Sequence, residues 1–374
     1  MKFTASSADL LEHLQNISRV INSKNTLPIL DHFLFKIQGD KLEMTASDLE
    51  TTIVTSMPIA DVEGEGNICV MANRLLSTLK EFADQPLTFD INLDNLRMVL
   101  ITDTGHYDFT GESADQFPVL PVLEGDINSV VFPAKDLQFN LENVAFAAST
   151  DDSRPQMTGI GFDISTEMTT VVATDSHKMV RIRNNYIKGQ NNAMFILPRK
   201  PTGLLRNILA KEEMDVEVRF DRSNIHFQMS NYTLVCRQVE GKYPAYNSVI
   251  PTNNEYKLIV KRDSFIRTLR RVAVYSNADN NLVKLDIEDG LITVSAQDVD
   301  YSISAEEKFV CQYDGQPMTI GFKSPYLLEI LSNLKTEEVE IDLQDPQRAA
   351  LLFPFNSEDS DSREILMLIM PIMI

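Results

Sequence analysis

The sequence contains no tryptophan, only three cysteines and only five histidines in 374 residues, and each scarcity closes off some chemistry. Cys69, Cys236 and Cys311 lie far apart and are odd in number. They make neither a disulfide framework nor a metal-ligand spacing, which points to a reducing, cytoplasmic home. The opening MKFTASSADL lacks the apolar core of a secretory signal. The longest apolar run, Ile365 to Ile374, is interrupted by Pro371 and falls short of the roughly 20 residues that span a bilayer. No membrane partner is expected. Positive charge is also scarce: 34 Lys and Arg against 54 Asp and Glu leave a net charge of −20 and a pI near 4.7. A body with that sum repels polyphosphates unless its cations are gathered locally.

What the chain does have is a repeat. Asp9, Asp136 and Asp263 each open an amphipathic helical pattern, at spacings of 127 and 127. Asp48, Asp175 and Asp298 each end a strand-like run, at 127 and 123. Leu76, Leu205 and Leu328 mark leucine-rich helices, and Phe117-Pro118, Tyr243-Pro244 and Met370-Pro371 close the three copies. Three homologous domains follow, at 1–125, 126–250 and 251–374. Within each, a helix is followed by short alternating stretches such as Phe33–Ile37, Lys41–Ala46 and Thr52–Met57, the period of half-buried antiparallel strands. Gly39-Asp40, Asp94-Asn95 and Asp289-Gly290 supply turns. The fold class is α+β: each domain has two helices packed on two small antiparallel sheets, six helix-sheet units in all.

The cations sit on the helices. Windows 199–211, with Arg199, Lys200 and Arg206, and 261–272 each carry +4, and the six helical windows together carry +8 against −28 elsewhere. Arg267, Arg270 and Arg271 fall on one helical face, and Phe265, Leu269 and Val272 on another. A basic helical lining on an acidic body suits a polyanion such as double-stranded DNA. With no zinc-finger, basic-zipper or RNA-binding signature present, the grip expected is to phosphates, without sequence preference.

The stretch VVATDSHKMV holds Asp175, Ser176 and His177 side by side. A hydrolase using Ser176 is the catalytic alternative, but triads are assembled from residues far apart in sequence, and neighbours on a strand face opposite ways. No Gly-x-Ser-x-Gly elbow surrounds the serine, and the other copies repeat only the aspartate, as Asp48-Leu49-Glu50 and Asp298-Val299-Asp300. Capping at a strand end explains the aspartate better. Gly159-x-Gly161 is a fragment of a dinucleotide motif without its third glycine or helix. The acidic run SEDSDSRE at 357–364 reads as a solvated loop. Neither catalysis nor a cofactor or metal is expected.

Thr26-Leu27-Pro28-Ile29-Leu30, Ala173-Thr174-Asp175 with Ser176-His177, Leu197-Pro198-Arg199-Lys200, Gly241-Lys242-Tyr243-Pro244 and Met370-Pro371 resemble, in this order, the bacterial sliding clamps, the beta subunits of DNA polymerase III. The resemblance spans the whole chain. It implies a ring-shaped homodimer around duplex DNA, each chain forming half of the ring, which tethers the replicative polymerase. Lys24, Arg74, Arg199 and Lys200 match phosphate-contacting positions. Arg154 matches a DNA-facing loop that usually continues with aromatics and here reads Pro155-Gln156. Tyr107 and Phe109 on one side, and Val274 and Tyr275 on the other, match the dimer interface. A pocket for short peptides is implied at Met157, Thr174, Ser176, His177, Lys178, Met179, Pro244, Val249, Ile369, Met370, Pro371 and Met373. Its partners would be the clamp loader, the polymerase III catalytic subunit and other proteins with clamp-binding motifs. Family members often read Gly-His-Arg-Leu after the aspartate, where this chain has Ser176-His177-Lys178-Met179. They also often carry an arginine just before the final residue, where this chain has Met373. A ring or arc scaffold that binds only proteins is the non-catalytic alternative.

Overall fold

The computed structural model describes residues 1–356 and 362–374; most of the acidic run at 357–364 lies outside them. Three pairs of longer helices recur at the repeat spacing: α1 (Ser7–Ser18) and α2 (Ala72–Leu79), then α3 (Ala134–Val144), and, after the short α4 (Pro155–Thr158), α5 (Arg199–Leu209), then α6 (Arg262–Ala273) and α7 (Ser324–Asn333). Asp9, Asp136 and Asp263 all fall in first turns, where a negative charge meets the positive end of the helix dipole. At α1 the Ser6 hydroxyl also accepts from the Asp9 amide at 3.2 Å, a cap worth about 1 kcal/mol.

The described residues gather into two compact units, Met1–Gln138 with Lys200–Gln238, and Phe139–Arg199 with Val239–Ile374. The first unit holds a five-stranded sheet with Ala60–Glu63 and His106–Thr110 as its outermost strands, and an eight-stranded sheet. Its core includes Phe3 stacked on Phe89 at 4.8 Å, beside the fully buried Leu10, Leu14 and Ile17 of α1. The second unit holds a nine-stranded sheet and a four-stranded sheet with Ile303–Val310 and Met318–Lys323 as its outermost strands. Phe162 stacks on Phe195 at 4.6 Å there, and Phe265, Leu269 and Val272 of α6 are fully buried.

The expected turns are present: Gly39 and Gly290 take φ of +60° and +74° between hairpin strands, a region open to glycine at little cost. The sheets differ from the expectation of two small ones per repeat. Thr51–Pro58 of the first repeat pairs antiparallel with Tyr232–Arg237 of the second, along Thr51↔Cys236 to Thr55↔Tyr232. Lys178–Asn184 of the second repeat pairs with Arg363–Ile369 of the third, over seven residues. Half-sheets from adjacent repeats thus fuse, because an edge strand left open would expose unpaired backbone groups.

Candidate peptide-binding cleft

Within the second unit, residues scattered from 154 to 370 surround a cleft of about 1010 Å³. The strands Thr169–Thr174 and Lys178–Asn184 supply Thr174, Lys178 and Met179; α4 supplies Met157; the segment after Tyr243-Pro244 supplies Tyr246, Val249 and Ile250; Leu368, paired with Met179, and Met370 complete the lining. Tyr243 packs in the core with Met179, Tyr246 and Leu368, three residues that do line the cleft. A Cβ at Gly161 would lie 3.2 Å from the Tyr243 ring, so the ring lies flat against the strand, and its hydroxyl donates to the Val172 carbonyl at 3.2 Å. The glycine pair singled out in the sequence therefore serves close packing. Beside it the Tyr246 hydroxyl donates to Asp163 at 2.6 Å. Burial first, and then that carboxylate, push the Tyr246 pKa up to about 12, so the tyrosine remains a donor at neutral pH. Thioethers of Met157, Met179 and Met370, with Val249 and Leu368, give the cleft a soft apolar wall.

Asp175, Ser176 and His177 are not on a strand but form the turn between two strands. Asp175 Oδ1 accepts from the amides of His177 and Lys178, both at 2.9 Å, and Asp48 does the same for Glu50 and Thr51 at 3.0 and 2.7 Å. The recurring aspartate is a turn cap. Ser176 takes φ +78°, and its hydroxyl accepts from Arg154 Nη1 at 2.9 Å. The His177 ring turns the other way and stacks on Tyr326, centroids 5.5 Å apart. The geometry is that of a turn with two divergent side chains, not a nucleophile and its base.

Several expected positions are displaced. His177 lines a separate polar hollow of about 630 Å³, together with Asp175, Arg199, Tyr326 and Glu329. Ile369 is fully buried in its sheet. Neither Pro371 nor Met373 lines the cleft, and Met373 points to solvent. Arg154, matched to a DNA-facing loop, instead lines both the cleft and the hollow. Lys200 spends its three protons on Val20 O, Asn22 Oδ1 and Asp48 Oδ2 at 2.6, 2.7 and 2.5 Å, so it has none left for a phosphate. Phe109 is buried beneath its own strand, while Tyr107, Val274 and Tyr275 are exposed. Lys24, Arg74, Arg199, Arg206, Arg267 and Arg270 are exposed. Arg271 is exposed too, but is paired through two nitrogens with Glu307 at 2.6 and 2.8 Å.

The sequence reading did not single out Tyr246, Ile250, Asn253, Arg348 or Leu368 as cleft residues. Tyr246 was within reach, two residues beyond Tyr243-Pro244. Arg348 was not: its donation to Asn253 at 2.6 Å joins residues 95 apart.

Paired helices on antiparallel sheets in three repeats, with a peptide-sized apolar cleft where a catalytic constellation had been a possibility, define a clamp-type binding protein. Family models for the N-terminal, central and C-terminal domains of the DNA polymerase III beta subunit match residues 1–121, 131–245 and 247–372. The chain therefore belongs to the DNA polymerase III beta subunit family, the bacterial sliding clamps, and is a ring-forming processivity factor rather than an enzyme. DNA, polymerase and clamp loader are its general partners. The beta sliding clamp of Pseudomonas aeruginosa is 26% identical over 361 residues, 96% of this chain and 98% of that one. That of Vibrio cholerae is 25% identical over 372 residues, covering both chains fully. Among solved structures, the Streptococcus pyogenes beta subunit superposes with a TM-score of 0.93 at 25% identity. The Bartonella birtlesii sliding clamp, bound to griselimycin, superposes at 0.90 and 28%; both cover this chain and their own completely. No helix among the described residues is long and apolar enough to cross a membrane.

Proposed function

We propose that two copies of this chain close head to tail on duplex DNA, and that the cleft holds short peptides of the polymerase III catalytic subunit, the clamp loader and other replication and repair proteins in the cytoplasm. One observation carries the closure. In each of the first two repeats, the edge of the first half-sheet is covered by the second half-sheet of the following repeat. The third repeat has the matching edge in Ile303–Val310, and the first repeat has the matching acceptor in His106–Thr110. Both are outermost strands with no partner beyond them among the described residues. A second copy supplies what each of these two edges lacks, and head-to-tail pairing closes both in each chain. Tyr107 on one strand, and Val274 and Tyr275 at the end of α6, then meet across copies; Phe109 supports its strand from beneath.

Phosphate contact falls to Lys24, Arg74, Arg199, Arg206, Arg267 and Arg270, with Arg271 added once it leaves Glu307. The apolar wall, with Arg154 and Arg348 at its margin, suits a peptide carrying apolar anchors. The test is topological. In solution the mass should be twice 42.2 kDa, and loaded protein should stay on nicked circular DNA and run off when that DNA is linearised. Equal retention on both would overturn the closure.

A further inference from the structure

Beyond the strand Arg363–Ile369, the chain is pinned at two points. The Met370 amide donates to the His177 carbonyl at 2.8 Å, and the Ile372 amide donates to the Gly321 carbonyl at 2.9 Å. Pro371 lies between them and restricts the backbone that joins the two bonds. Gly321 sits in the extended strand Met318–Lys323, so space rather than backbone conformation calls for glycine. A Cβ there would lie 3.0 Å from Ile372 O, 2.9 Å from Ile374 Cγ1 and 2.8 Å from Leu282 Cδ1. One of those atoms is backbone of the tail itself, so a lone Cβ at 321 already asks the tail to give by a few tenths of an ångström, and a branched side chain asks for more. Ile374 further lines a groove along this same sheet with Leu282 and Lys284. Met370, one residue before Pro371, forms part of the cleft wall.

We infer that Gly321 is a positioning residue for the cleft: its bare backbone seats Ile372 and Ile374 and thereby sets Met370 against the turn at 175–177. This rests on the peptide-cleft reading above. Gly321 touches no part of the cleft, so its influence passes through the tail.

Two variants release the seat differently. Gly321→Val inserts a side chain under the tail. Ile372→Pro removes the donated N–H and leaves the sheet untouched, so it keeps the test valid if Gly321→Val melts early. Both should speed hydrogen exchange at the Met370 amide and weaken binding to immobilised polymerase III catalytic subunit by about tenfold, the scale of one lost buried apolar contact. Retention on circular DNA should not change. In a Met370→Ala background neither variant should weaken binding further. Wild-type affinity in both variants, with Met370→Ala impaired, overturns the positioning role alone. Unchanged affinity in Met370→Ala overturns the cleft reading and the inference with it.

Discussion

The turns at Asp48 and Asp175 solve one problem with different cations. Each aspartate caps its turn through two backbone amides, and each turn passes through a left-handed residue, Leu49 or Ser176, both at φ +78°. In the first repeat the counter-charge arrives from α5 as Lys200, which is 36% exposed. In the second it comes from the turn's own strand as Lys178, which is 5% exposed, bonded to Asp175 at 2.5 Å and to Glu329 at 3.3 Å. Lys178 also lies 4.8 Å from the centre of the Tyr326 ring. The first turn is only structural. The second has been built into a wall, with its serine aimed at Arg154 and its nearly buried lysine in the cleft lining.

Removing each cation measures that difference. Lys178→Ala strands the carboxylate of Asp175, 13% exposed, and should cost about 3 kcal/mol in urea unfolding. Lys200→Ala should cost less, about 1 kcal/mol, because Lys200 is 36% exposed and meets one carboxylate, where Lys178 is 5% exposed and meets two. Equal costs would erase the contrast. An effect of opposite sign concerns the left-handed residue: Ser176→Gly should gain about 1 kcal/mol by relieving the strain. That variant also frees Arg154, so partner binding should change. Leu49→Gly should give a similar gain in stability and leave partner binding alone.

The contrast also shows what the sequence could and could not disclose. The turn caps were legible because Asp48, Asp175 and Asp298 recur at the repeat spacing, and so were the helices, whose apolar periods put Phe265, Leu269 and Val272 on one face that is fully buried. The resemblance placed Met157, Thr174, Met179 and Met370 around one site, and the structure brings them to one cleft. The fate of Lys200 was not legible, since Val20, Asn22 and Asp48 reach it from about 150 to 180 residues away. Neither were the sheet fusions: Tyr232–Arg237 reads as an ordinary alternating strand, and nothing local names Thr51–Pro58 as its neighbour. The sides taken by His177, in the neighbouring hollow, and by Phe109, in its own core, were hidden for a related reason, because a turn and an edge strand can each send a side chain to either side.

Fusion of half-sheets across repeats also sets an order of events during synthesis. Lys178–Asn184 is made early, yet its neighbour Arg363–Ile369 leaves the ribosome only after nearly all of the third repeat has been made. Until then the middle repeat carries a bare edge, the kind of surface that invites misassembly. The cleft shares that delay, because Leu368 and Met370 arrive with the same strand. A chain cut short between Ala273 and Arg363 would have its basic helices but no place to receive a partner.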